Sequence, residues 1–100
     1  MELFVPKDKV NDSPRNFVRH LGYAEHHDRH ATAPSFTKRL SREFYPRYHL
    51  YYDERPDGLM LKLHLDQKRP SYEGSHAHSG EYDGAVVERE IARIKGLIGI

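Results

Sequence analysis

The chain has 100 residues, a formal net charge of +1, 37% hydrophobic and 31% charged residues and no cysteine, with a mean hydropathy of −0.86. That size suits one domain with one core, and no apolar run approaches the roughly 18 to 20 residues that cross a bilayer, so no membrane partner is expected. The missing cysteines exclude disulfides, thiolate catalysis and Cys-ligated zinc, and the near-balanced charge gives no overall field to draw a polyanion.

Met1 to Lys9 lacks the charged-then-apolar pattern of a secretory leader, so a soluble, cytoplasmic protein is expected. Residues 1–12 are read as a loose segment because apolar residues are sparse and no periodicity shows. Ser13 followed by Pro14 has the form of an N-cap and first helical position. Phe17, Val18 and Leu21 then share one face, and Gly22 can end the turn, so a short N-terminal helix is predicted. Tyr23 to Pro34, with His26, His27 and His30 among Asp28, Arg29 and small residues, reads as a loop.

Ser35 to Phe44 fits two patterns. Phe36, Leu40 and Phe44 recur at helical spacing, whereas Ser35-Phe36-Thr37 opens like a strand, which is the preferred reading. Pro46 ends either element. Arg47 to Asp53 and Leu59 to Asp66 alternate in polarity around Arg55-Pro56-Asp57-Gly58, which predicts a β-hairpin, Tyr48 to Asp53 paired with Leu59 to Leu65.

Parity sets its register, because a slip of one residue would exchange the faces. With Leu59, Leu61, Leu63 and Leu65 inward, Tyr52 opposes Leu61, Leu50 opposes Leu63 and Tyr48 opposes Leu65. The outer face then pairs Tyr51 with Lys62, His49 with His64, and Arg47 with Asp66. Lys68 to Tyr82 is irregular, and Asp83 or Gly84 is the expected cap of a final helix whose Val87, Ile91, Ile94 and Ile98 form one apolar stripe. The expected fold is α+β over residues 1–100. It comprises an antiparallel β-hairpin or three-stranded meander, packed on one face by a C-terminal amphipathic helix, with a short N-terminal helix.

Three segments, Tyr45-Pro46-Arg47-Tyr48-His49, Leu63-His64-Leu65-Asp66-Gln67-Lys68 and His78-Ser79-Gly80-Glu81-Tyr82-Asp83-Gly84, resemble a family of small uncharacterised prokaryotic proteins. The resemblance covers roughly the latter two thirds of the chain. It implies the extent of the domain and no activity.

Eight histidines in 100 residues are the strongest compositional signal. The predicted register opposes His49 and His64 on the outer face with Cβ atoms about 4.5–5.5 Å apart. Asp66 follows on the same strand face, and His76, His78 and Glu81 follow in the next loop. Together they form a candidate nitrogen and oxygen shell for a divalent metal such as zinc, in a metal-binding protein or a metal-assisted hydrolase. Half-exposed sheet histidines and a polar Gly/Ser loop are the simpler reading of the same residues. His26 and His30 stand four apart, but His27 occupies the place where a zinc-protease motif has its Glu.

The preferred reading is a binding module for RNA or single-stranded nucleic acid, with the metal-binding protein as the alternative. Lys38, Arg39, Arg42, Arg47, Lys62, Lys68 and Arg69 would contact phosphates, and Tyr51 would stack on bases. A protein partner, or a homodimer through a sheet edge, ranks slightly behind nucleic acid and has no special signal. No serine-hydrolase frame or phosphate loop is present, and the sequence does not decide whether the protein is an enzyme.

Overall fold

The computed structural model describes residues 1–27, 34–67 and 76–100, with side chains from residue 84 onward in the last of these. Five strands, β1 (Glu2–Pro6), β2 (Ala24–His26), β3 (Ser35–Arg39), β4 (Arg47–Arg55) and β5 (Gly58–Asp66), and two helices, α1 (Pro14–His20) and α2 (His76–Ile98), make an α+β fold. The strands form one antiparallel sheet in the order β1-β5-β4-β3-β2. No helix among the described residues is long and apolar enough to cross a membrane.

The β4–β5 hairpin has the register that parity requires. Tyr52 opposes Leu61, Leu50 opposes Leu63 and Tyr48 opposes Leu65, while Tyr51, His49 and Arg47 face Lys62, His64 and Asp66. Arg55 pairs with Gly58, leaving Pro56-Asp57 as a two-residue turn that keeps both strands in phase. The inward leucines are buried, with Leu61 at 0% and Leu63 at 1% exposure. Burying each such side chain stabilises the fold by about 1.5–3 kcal/mol. Phe17, Val18 and Leu21 around α1, with Val86, Val87, Ile91 and Ile94 of α2, close this core from the same side. Among the described residues the helices therefore cover one face of the sheet and leave the other open.

α1 begins as expected, with the Ser13 side chain accepting from the Asn16 amide at 3.3 Å and Pro14 in the first turn. Gly22 leaves it at a positive φ of 104°. A buried polar tie then holds α2 to the end of α1. The Tyr23 hydroxyl donates to Glu90 at 2.7 Å. Arg93 donates twice to Glu90 and once to the Leu21 carbonyl. Burial pushes the Glu90 carboxyl upward, but hydrogen bonds from Arg93 and Tyr23 and the nearby Lys38 charge hold it below its ordinary value. The Tyr23 phenol is pushed up, by burial first and by Glu90 second.

The structure corrects three local expectations. The segment 1–12, read as loose, contains strand β1. Glu2–Pro6 pairs along β5, with Leu3 at 8% and Val5 at 0% exposure. Two inward side chains suffice once a hydrophobic partner strand is present, and that partner lies more than fifty residues away in the chain. Ala24–His26 is a strand rather than loop, because Ser35–Thr37 offers it a ladder; the rest of that predicted loop lies partly outside the described residues. Helix α2 starts at His76, upstream of the expected Asp83 or Gly84 cap. Gly80 and Gly84 weaken a helix by about 1 kcal/mol each without stopping it.

Candidate metal centre

The open face of the sheet is built by alternation. On β5 it carries Met60, Lys62, His64 and Asp66; on β4 it carries Arg47, His49 and Tyr51, and Thr37 of β3 lies beside His49. Cross-strand neighbours place His49 against His64, and the adjacent row places Arg47 against Asp66. Asp66 is thus reached from three sides. It lies 2.8 Å from His49 Nδ1, 3.1 Å from His64 Nε2 and 3.4 Å from Arg47 Nε. One donor atom from each of His49, His64 and Asp66 lies within 4.8 Å of the other two.

These side chains differ in exposure. His49 is 12% exposed, Asp66 22% and His64 50%, so the group is a shallow site open on the His64 side. The rings are held by stacking. Tyr51 lies 4.6 Å from the His49 ring and 5.6 Å from the His64 ring, both in stacked geometry, and His26 of β2 meets His49 edge-on at 5.8 Å. Arg47 is itself buried, at 7% exposure. Its guanidinium lies 4.7 Å from the Phe44 ring and 4.8 Å from the Tyr45 ring. Packing of this kind fixes the arginine and, through it, the carboxylate.

Burial holds the His49 imidazole below its ordinary pKa of 6.5, despite the opposing pull of Asp66 through charge and hydrogen bond. Burial thus favours the neutral imidazole of His49. A carboxylate can only accept, so Nδ1 carries the proton and Nε2 keeps a lone pair. That Nε2 is buried and has no hydrogen-bond partner among the described residues. A depressed histidine pKa means the unfolded chain takes up the proton more readily, so stability is lost as pH falls below about 6.5. In chelator-treated protein, His49→Gln is expected to flatten this acid-side loss of melting temperature between about pH 7.5 and 5.5. Parallel pH curves for the variant and the parent would contradict that origin.

Of the six residues read from sequence as metal ligands, three converge. His76, His78 and Glu81 lie in the first turns of α2, and their side chains are outside the described residues. The residues read as a nucleic-acid surface do not share one side. Lys38 opposes Tyr48 and sits 5.4 Å from its ring, on the helix-covered side. Lys62 is tied to Asp53 at 2.8 Å, a pairing that raises the lysine pKa and lowers that of the carboxyl through their mutual hydrogen bond. Arg47 is buried against Asp66. Arg39 and Arg42 are exposed, Tyr51 is packed against the histidine rings, and Lys68 and Arg69 lie outside the described residues. Sequence reasoning placed His26 in a loop and weighed it only with His30, not with His49, because its three-residue strand has no periodicity. It read Phe44 only as apolar spacing and so missed the Phe44–Tyr45 clamp on Arg47.

No family model, curated protein or solved structure matches the chain.

Proposed function

We propose that the protein binds one divalent transition-metal ion of the zinc type on the open face of its sheet, with His49, His64 and Asp66 as ligands. The observation that carries this reading is the convergence of two imidazole nitrogens and a carboxylate within 4.8 Å of one another. Zinc bonds of about 2.0–2.2 Å at tetrahedral angles set donor atoms about 3.3–3.5 Å apart. The two Asp66–His contacts run to different oxygens of the carboxylate, Oδ2 to His49 at 2.8 Å and Oδ1 to His64 at 3.1 Å, so both imidazoles already stand against the one group that would share the ion with them. An ion would replace the protons that Asp66 shares with the rings, moving the His49 proton to Nε2. Two nitrogens and one oxygen, with no thiolate, suit zinc and its neighbours better than calcium or magnesium.

Three protein ligands on a half-exposed site leave a position for water or a small ligand. This reading is preferred to single-strand nucleic-acid binding because, among the described residues, the cations needed for phosphate contacts are divided between two faces and two of them, Arg47 and Lys62, are already paired.

Untagged protein titrated with zinc should take up one equivalent. Its melting temperature should also rise, since ligand at 100 times its Kd stabilises the folded state by about 2.7 kcal/mol. Protein that carries no stoichiometric metal and melts unchanged in excess zinc would end this proposal.

A further inference from the structure

Arg39 stands directly opposite Arg47, which stands opposite Asp66, so one cross-strand row runs from an exposed guanidinium to the candidate metal ligand. Both guanidiniums lie over the same Phe44 ring, Arg39 at 5.0 Å and Arg47 at 4.7 Å from its centre. Their situations differ. Arg47 is buried and its Nε is directed to Asp66, whereas Arg39 is exposed and makes no ion pair among the described residues. The ring holds two like charges side by side next to a site that attracts a third.

Once a divalent ion binds, Asp66 gives its charge to the metal and no longer balances Arg47. A divalent ion, two guanidiniums and one carboxylate leave this end of the sheet with a large excess of positive charge. The imidazoles of His49 and His64 supply no anion. Two strand spacings, about 9.6 Å, separate the Arg39 and Asp66 backbones, a gap that an arginine arm and a phosphate group together can bridge. Guanidinium matches the geometry of a tetrahedral oxyanion through paired N–H donors.

We infer that the metal-loaded site takes a phosphate-type oxyanion, the free ion or a monoester, as the remaining metal ligand, with Arg39 as its second contact. The inference rests on the metal reading above. Arg47 is a positioning residue for Asp66, and Arg39 is the contact that selects the anion.

The test uses the full chain loaded with cobalt(II), whose visible absorption reports on coordination. Cobalt uptake is measured first, so a failure of the metal reading is seen before any anion is added. Inorganic phosphate and phenyl phosphate are then titrated separately, which distinguishes a free-ion site from an ester site. Saturable changes in the cobalt bands with at least one of them are expected, and calorimetry should find no matching binding to metal-free protein. Arg39→Gln should weaken the anion about tenfold while leaving cobalt affinity unchanged, and Arg39→Lys should fall between. The inference is overturned if cobalt-loaded protein ignores both anions, if metal-free protein binds them equally well, or if Arg39→Gln binds them like the parent.

Discussion

Gly58→Ala is expected to destabilise the fold by about 3 kcal/mol, among the larger effects of a single substitution. Gly58 opens β5 beside two neighbours at once, paired with Arg55 across the turn and with Pro6 of β1. A Cβ built there would land on the Val5 carbonyl oxygen and 2.8 Å from the Phe4 ring, at a φ of 158°. The clash is with backbone, so no side-chain rotation relieves it. β1 would have to withdraw, exposing Leu3 and Val5 and the faces of Leu59 and Leu61 beneath them. Gly96→Ala is the matched control: nothing lies within 4 Å of its Cβ position in α2, and the change should stabilise by about 0.5–1 kcal/mol. Urea unfolding reads both. A Gly58→Ala midpoint equal to that of the parent would mean that β1 does not approach β5 as closely as described.

The contrast between what was legible and what was not follows from the range of the interactions involved. The β4–β5 pairing was fully readable because its turn chemistry is local and its leucines fix parity, so six cross-strand pairs could be written from one constraint. The same parity placed His49 opposite His64 and Arg47 opposite Asp66, which is the frame of the candidate site. Strand β1 was not readable: its partner is distant in the chain, and two inward residues give no periodic signal. Nothing in the local pattern separates Glu90 from the surface charges of an amphipathic helix. Its burial at 3% exposure depends on Tyr23 and Arg93 meeting it in space. Parity placed Lys38 nowhere, because its strand had not been assigned with certainty. Once Lys38 is seen to oppose Tyr48, it falls on the helix side. Side-chain convergence is a further step beyond face assignment, which is why Asp66 was one ligand among six in the sequence and becomes the centre of three contacts in the fold.

Asp66→Asn is expected to weaken zinc affinity about 100-fold or more, the largest functional effect of any single substitution at this site. The carboxylate holds both imidazoles and Arg47 through its two oxygens. An amide offers one acceptor oxygen, carries no charge, and turns two N–H donors toward groups that also donate. The ion-free fold should lose about 1–2 kcal/mol as well, because the charge-assisted bonds to His49 and Arg47 weaken. A drop in affinity from this variant alone is therefore open to a structural explanation. His64→Gln removes that ambiguity, since the half-exposed ring contributes little packing but supplies one of three donors. Its melting temperature without metal should match the parent while its zinc affinity falls by a similar factor. If both variants keep the parent's zinc affinity, the ion is held by other histidines of the chain and the convergence at Asp66 is a hydrogen-bonded surface cluster. If Asp66→Asn loses affinity while His64→Gln keeps it, Asp66 acts by orienting His49, and the ligand set must be rebuilt around the buried lone pair at His49 Nε2.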